Sequence, residues 1–304
     1  MFQKLLIAAG AVLLGAGPSS AWNRAGHMAT GAIAYDELMR GAPATLARVV
    51  AILRQHPQYE SRWKPQMAGM SEQDQERFLF MQAARWPDDI RGDKAFDHPL
   101  WHYIDYPYKP HGQPASVATL PPAAENLVTA FQQNVAMVQG GAADVQKAVA
   151  LCWIFHLVGD SHQPLHATML FTTQFPEGDR GGNLFYIRQA NAATENLHAY
   201  WDNLMGREDQ YEAARKHATT LENAHPRGSL RELSDPHFED WVRPESFNLA
   251  ISSVYRKGRL QVSTDPKHGT PLPRGYQAIA VRVAERRVTL ASYRLADLLR
   301  SNFP

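Results

Sequence analysis

Apolar residues return at helical spacing along most of the 304-residue chain. The spacing predicts helices over about 27–40 and 43–56, with Pro43 suited to a first helical turn. Ser71, followed three residues later by Asp74, opens a further helix running to about Arg85. Two more are expected over about 121–139 and 142–160, parted by Gly140-Gly141. A weaker pattern covers 235–255. The last segment, about 273–301, sets Tyr276, Ile279, Ala280, Val283, Leu290, Leu295 and Leu298 on one stripe, which reads as plain core. Residues 87–120 are rich in Pro, Gly, Asp and His and read as a structured loop. Residues 172–194 read as a second loop, with a small hairpin around Leu184–Arg188. There is no repeat, low-complexity tract or linker. The expectation is one mainly α domain with long loops and at most a small β-hairpin.

The first stretch differs. Lys4 precedes an apolar run from Leu5 to Leu14, and the small residues Ser19-Ser20-Ala21 follow. That is the pattern of a secretory signal peptide, residues 1–21, with a mature domain of 22–304 opening at Trp22. The run is short for a bilayer span, and no later segment is apolar for long enough. A secreted or periplasmic protein without stable membrane association is expected. The signal peptide holds one cation, Lys4, and no acid, so the mature chain has 30 basic and 30 acidic residues. Such a balance offers no broad basic field and argues against a tight, sequence-independent grip on duplex DNA. The single cysteine, Cys152, makes no internal disulfide and reads as core within Leu151-Cys-Trp-Ile-Phe155. An exported chain without disulfides needs another fastener, and metal can serve.

The chemistry lies in histidine and aspartate spacing. His156 and Asp160 are four apart on an expected helix and face the same way, and His198 and Asp202 repeat that spacing. Paired positions of this kind aim metal ligands into helical bundles, and zinc favours imidazole and carboxylate. One isolated pair of this type is more often a surface ion pair. These pairs, however, sit among Trp153, Ile154, Phe155, Leu157 and Val158, and among Leu197, Tyr200 and Trp201. A carboxylate buried there needs a paired charge or a metal. Trp86-Pro-Asp88 and Trp101-His-Tyr-Ile-Asp105 add polar groups among aromatics, and Trp22 stands close to His27.

From Trp22 to about Asn203 the sequence resembles the zinc-dependent single-strand nucleases of the S-one/P-one (type I) family, which share a fold with bacterial zinc phospholipase C. The motifs run in order: Trp22…His27, Ala84-Arg-Trp-Pro-Asp88, Trp101-His-Tyr-Ile-Asp105, His156-x-x-x-Asp160, His162-Gln-Pro-Leu-His166, Gly181-Gly-Asn183 and Asn196-Leu-His-x-x-Trp-Asp202. The resemblance implies a helical phospholipase C/nuclease-type fold and three zinc ions per chain. One zinc would take Asp88, His102, His156 and Asp160. A second would take Asp160, His27 and the amine and carbonyl of Trp22. A third, more distant, would take His166, His198 and Asp202. It also implies that Asp105 orients the attacking water and that Tyr103 stacks on a base; Arg91, three residues after Asp88, is expected to contact phosphate through its forked donors, and Asn203 to be a further substrate contact. Asp105, Asp160 and Arg91 would form the catalytic set. His162 is expected to donate to a ligand or to backbone, and the remaining histidines to be structural or on the surface.

The function so implied is hydrolysis of single-stranded DNA and RNA to products with 5′-phosphates, together with 3′-nucleotidase activity, with no protein partner. The chain departs from the family's fungal members in lacking disulfides and Asn-x-Ser/Thr sites, which points to a bacterial source. Its loop between His166 and His198 is long. Two other readings use the same residues. One is a phospholipase C acting on phosphatidylcholine; the resemblance sets Asp, here Asp202, against Glu at the last ligand of phospholipases. The other is a non-catalytic zinc-binding protein, which would have closed ligand sets.

Overall fold

The computed structural model describes residues 22–303; the expected signal peptide, 1–21, lies outside the described residues. Helix α1 (Arg24–Gly41) starts where the Asn23 side chain accepts the Gly26 N–H at 3.2 Å. Every residue from Ala25 to Tyr35 is buried, so this helix is central and meets solvent only near its ends. Helix α2 (Pro43–Leu53) begins at Pro43 as the sequence predicts and gives way to a turn before His56. Helix α3 (Glu72–Asp89) is capped by Ser71 and runs past Arg85 to Asp89. Pro87 removes one rung of its ladder. The last turn holds because Arg85 pairs with Asp89 at 2.8 Å, and Arg24 and Arg62 reach the same carboxylate at 2.9 and 3.2 Å.

Helix α4 (Leu127–Gln139) starts later than expected. Pro121-Pro122 keep the preceding backbone out of the helix, and Asn126 caps it by accepting the N–H groups of Val128 and Thr129. Helix α5 (Asp144–Asp160) is buried on all sides from Ala150 onward. Helix α6 (Leu197–Asp202) is short and capped by Asn196. Helix α7 (Tyr211–Ala224) was not anticipated: it buries only Ala214, Ala218 and Leu221, too thin an apolar stripe to stand out. The expected 235–255 helix is broken. A single turn, α8 (Phe238–Asp240), passes into two wide turns, Trp241–Phe247 and Ala250–Val254, with Pro244 inside the first.

Helix α9 (Tyr276–Asn302) packs on α1. Tyr276, Ala280, Leu290 and Leu295 of its stripe are buried in the apolar clusters, as expected of core, with Val283 and Leu298 packed against them. Ile279 is 46% exposed, whereas Arg287 and Arg294 are buried. Two guanidiniums take the place of apolar residues because Glu245 comes with them.

The strands are short fasteners between loops. β1 (Pro107–Tyr108) runs parallel to β2 (Met169–Leu170). β3 (Tyr186–Arg188) and β4 (Thr194–Asn196) form the expected hairpin, and β5 (Thr270–Pro271) adds a parallel strand beside β3. One apolar cluster joins α1, α3, α5 and α9 through Phe80, Trp86, Trp153 and Phe155. A smaller one, with Phe185, Ile187, Trp201 and Tyr255, lies under the sheet and α6. Among the described residues no helix is long and apolar enough to cross a membrane.

Candidate metal centre

Four elements deliver histidines and aspartates to one place. His27 comes from the first turns of α1, Asp88 from the end of α3, His102 from the helical turn Pro99–His102, and His156 and Asp160 from the last turns of α5. Asp160 is at the centre. Its carboxylate lies 3.2 Å from His27 Nε2, His102 Nδ1 and His156 Nε2 alike. Asp88 stands 3.8–3.9 Å from the same three nitrogens. The rings of His27 and His156 stack at 4.0 Å. That contact leaves no space beside Gly159, where an added Cβ would meet His27 Nδ1 at 2.8 Å.

A second group lies nearby. His166 follows the turn after α5, and His198 and Asp202 are one helical turn apart on α6. Gln163 holds Asp202, donating Nε2–H to Oδ1 at 2.7 Å. The Asp202 carbonyl accepts the Asn23 N–H at 3.0 Å, which ties the end of α6 to the start of α1. Trp22, fully buried, packs against Gly26 one turn before His27.

The histidine tautomers test whether these groups fit a cation. His156 Nδ1 lies 2.9 Å from the Ala84 carbonyl, next to the rung lost at Pro87. His166 Nδ1 lies 2.6 Å from the His102 carbonyl, and His198 Nδ1 lies 2.6 Å from the Gly181 carbonyl. A carbonyl only accepts, so each Nδ1 carries the proton and each Nε2 a lone pair. Yet His198 Nε2 faces His166 Nε2 at 2.9 Å. Two lone pairs so aimed repel unless a proton or a metal lies between them. Protonation is disfavoured: burial holds His166 well below the usual histidine range and His198 at about 4. Burial lowers His27, His102 and His156 as well, with the neighbouring His156 adding to the effect on His27 and His102.

The carboxylates are displaced the other way. Burial raises Asp160 to about 7 and pushes Asp202 well above the ordinary range. Both sides of His27, along with Asp88 Oδ2, His102 Nε2 and Asp160 Oδ1, have no hydrogen-bond partner. Neutral imidazoles and unneutralised carboxylates converging on one spot form a donor set that divalent zinc would satisfy. Three such groups are present among the described residues: His27, His156 and Asp160; Asp88, His102 and His156; and His166, His198 and Asp202.

The groups border a cavity of about 780 Å³ lined by Arg91, His102, Tyr103, Asp105, His166, Arg180, Asn183 and His198, among others. Arg91 is bound to Asp88, with Nη2 2.7 Å and Nε 3.1 Å from Oδ1. Tyr103 and Asp105 are partly exposed on the cavity wall. Burial, and after it the charge of Asp179, raises Asp105 to about 7. A chain of aromatic, cationic and acidic groups next to convergent metal donors suits an anionic substrate with a flat ring.

A model of the family described as S1/P1 Nuclease matches residues 22–304. The chain belongs to the S1/P1 nuclease family. Endonuclease 4 of Arabidopsis thaliana is 30% identical over 166 residues, covering 51% of this chain and 50% of that protein. Endonuclease 5 of the same plant is 28% identical over 166 residues, with 51% of each chain covered. The chain spans about half the length of the curated relatives it matches.

Asn203 is not in the cavity with Tyr103. It ends α6 with its amide engaged, Nδ2 donating to the Ala199 carbonyl at 2.7 Å and Oδ1 accepting from Asn23 at 3.1 Å. It borders a separate cavity with Tyr200 and Arg207. Its place next to Asp202 in the sequence does not carry over, because one step round a helix turns the side chain by about 100°. His162 uses both nitrogens within the protein: Nδ1 donates to the Val158 carbonyl at 2.8 Å and Nε2 accepts from Arg294 at 2.9 Å. His56 is buried, stacked on Trp63 and edge-on to Trp86. Two supporting residues escaped sequence reasoning. Gln163 stood inside a quoted motif without a role. Asp179, beside Gly181-Gly182, is fully buried and accepts from Leu170 N–H and Tyr255 Oη–H at 2.9 and 2.6 Å.

Proposed function

We propose that this protein is an exported zinc-dependent hydrolase of phosphodiester bonds in single-stranded DNA and RNA, giving 5′-phosphate products, and that it also removes phosphate from 3′-nucleotides. The observation that carries this reading is the three histidine–aspartate groups, with the Nε2 lone pairs of His156, His166 and His198 turned into them, beside a cavity that Tyr103 lines. His27, Asp88, His102, His156 and Asp160 would hold two zinc ions, with Asp160 shared and the freed amine of Trp22 completing one set. His166, His198 and Asp202 would hold a third. Zinc bound there supplies Lewis acidity, which neutralises phosphate charge and acidifies water.

The remaining work falls to side chains. Arg91 keeps Asp88 in place and lines the cavity, where a phosphate oxygen can accept from its remaining donors. Tyr103 offers a ring face for a base. Asp105 is raised to about 7 and its side chain makes no hydrogen bond with any described residue, so near neutral pH it can take a proton from water or return one. Gln163 fixes the rotamer of Asp202.

The test is hydrolysis of single-stranded DNA, RNA, 3′-AMP and phosphatidylcholine side by side, with and without chelator. The reading expects chelator-sensitive cleavage of the first three and none of the lipid. Turnover of phosphatidylcholine alone would make the protein a phospholipase; zinc binding without turnover would make it a zinc carrier.

A further inference from the structure

Two guanidiniums line the cavity, and they are in opposite states. Arg91 is committed to Asp88. Arg180 is exposed, and its side chain makes no hydrogen bond or ion pair with any described residue. Its backbone has φ = +56°, in the left-handed region that an arginine seldom occupies. Strain of this kind persists only where the surroundings impose it, and it is a pointer to use.

The surroundings do impose it. On one side Asp179 is fully buried and anchored by Leu170 N–H and Tyr255 Oη–H. On the other, the Arg180 carbonyl accepts Asn183 N–H and Nδ2–H at 3.2 and 2.8 Å. The Gly181 carbonyl then receives His198 Nδ1–H. The loop is thus rigid through its backbone while its one cation is left free at the cavity wall.

The two cations are also in different surroundings: Arg91 is held on Asp88, and Arg180 stands on the loop that lines the cavity with Tyr103. The charge of Arg91 acts on the histidines His102, His166 and His198, at the metal groups. The charge of Arg180 acts on Tyr103, at the aromatic wall. A 3′-nucleotide has one phosphate, and under the nuclease reading that phosphate lies at the metal groups. A polynucleotide threaded through the same cavity brings another phosphate, on the far side of the base held by Tyr103.

We propose that Arg180 binds this second, non-reacting phosphate and thereby favours polynucleotides over mononucleotides. The proposal rests on the nuclease reading above. Arg180 is here a specificity residue and takes no part in bond breaking. A guanidinium forks onto phosphate oxygens, so a lysine in its place keeps the charge and loses the paired geometry.

The test compares wild type with Arg180→Gly and Arg180→Lys on 5′-phosphorylated tetrathymidylate and on 3′-AMP. Glycine suits the positive φ, so Arg180→Gly should melt no lower than wild type. Its kcat/KM on the oligonucleotide should fall about tenfold, chiefly through KM, and fall much less on 3′-AMP. The slope of log KM against log salt for the oligonucleotide should shrink by about 0.7, the value of one lost single-strand phosphate contact. Arg180→Lys should keep the salt slope and recover part of the loss. Equal losses on the two substrates, an unchanged salt slope, or no loss would overturn the proposal while leaving the nuclease reading standing. A wild type that hydrolyses neither substrate would overturn both.

Discussion

The molecule buries charge in two adjoining places and treats them in opposite ways. On the α9 side, Arg287 and Arg294 share the Glu245 carboxylate; Arg294 reaches its two oxygens at 2.6 and 2.8 Å, and Arg287 is bonded to one of them. Their other donors go to Ser246 Oγ, His162 Nε2 and the carbonyls of His162, Trp241 and Glu232. Arg294 Nε alone among them lacks a partner. On the other side of the 161–163 turn, five atoms of His27, Asp88, His102 and Asp160 have none. A buried polar group without a partner costs about 1–3 kcal/mol, more when charged. The first cluster is satisfied within the chain at every atom but Arg294 Nε; the second leaves five atoms that cations would satisfy. Two chemistries of buried charge, one structural and one functional, are thereby separated by a single turn of backbone.

The largest expected effect follows from removing what the second cluster lacks. Purified protein should hold about three zinc ions per chain, set by its three donor groups. Chelation should abolish hydrolysis and lower the melting temperature together, since metal binding energy is also folding energy, and added zinc should restore both. Within the cluster, Asp160→Asn should empty two adjacent sites, because Asp160 reaches three histidines at 3.2 Å. Asp202→Asn should empty mainly the site with His166 and His198. Anomalous scattering at the zinc edge reads this directly; active protein with one zinc or none would sink the assignment.

A smaller effect is expected on the complete side. Glu245→Gln leaves Arg287 and Arg294 buried without a carboxylate, and breaking a buried pair from one side costs about 3–5 kcal/mol. Denaturant titration should show that loss while elemental analysis of the folded variant still finds the full zinc content. If zinc near Asp202 were lost from protein that stays folded, the clusters would be one unit, coupled through His162 and Gln163.

The sequence made much of this legible. Four-residue His–Asp spacing within apolar runs requires burial of both groups, and burial of an aspartate requires a counter-charge. The helices of the core followed from their stripes, and α1, α3 and α5 lie where the periodicity put them, within a few residues. What stayed hidden needs the third dimension. Arg287 and Arg294 look like solvated charges until Glu245, on a broken helix the sequence barely marked, comes beside them. The α7 stripe of two alanines and a leucine is too slight to detect. Asn203, expected to contact substrate, borders a separate cavity at the end of α6, with its amide engaged by Ala199 and Asn23. The role of Asp179 depends on Tyr255, far along the chain, which no local spacing reveals.

Asp179 offers the finest test of the comparison, because it is a buried carboxylate with neither a guanidinium nor a place in a metal group. Its oxygens meet dipoles, among them Leu170 N–H, Tyr255 Oη–H and the backbone of Gly182. Those hydrogen bonds favour the ionised form, but burial outweighs them and raises its pKa from 3.8 to about 6. The sign follows from proton counts. Below about pH 4 the carboxyl is protonated whether the chain is folded or not. Between about 4 and 6 the unfolded chain has given up its proton and the folded chain still holds one, so each step up in pH favours unfolding. Above about 6 the full penalty is present, on the order of 1–3 kcal/mol. Asp179→Asn cannot ionise, and its amide can accept from Leu170 N–H while donating to Tyr255 Oη. The melting temperature of this variant, less that of wild type, should therefore rise as pH goes from about 4 to about 7 and then level off. The measurement is a pair of melting curves at each pH in metal-replete buffer. A difference that stays flat or falls would mean that dipoles alone neutralise a buried carboxylate here, and that the unpartnered atoms around Asp160 need not imply a cation.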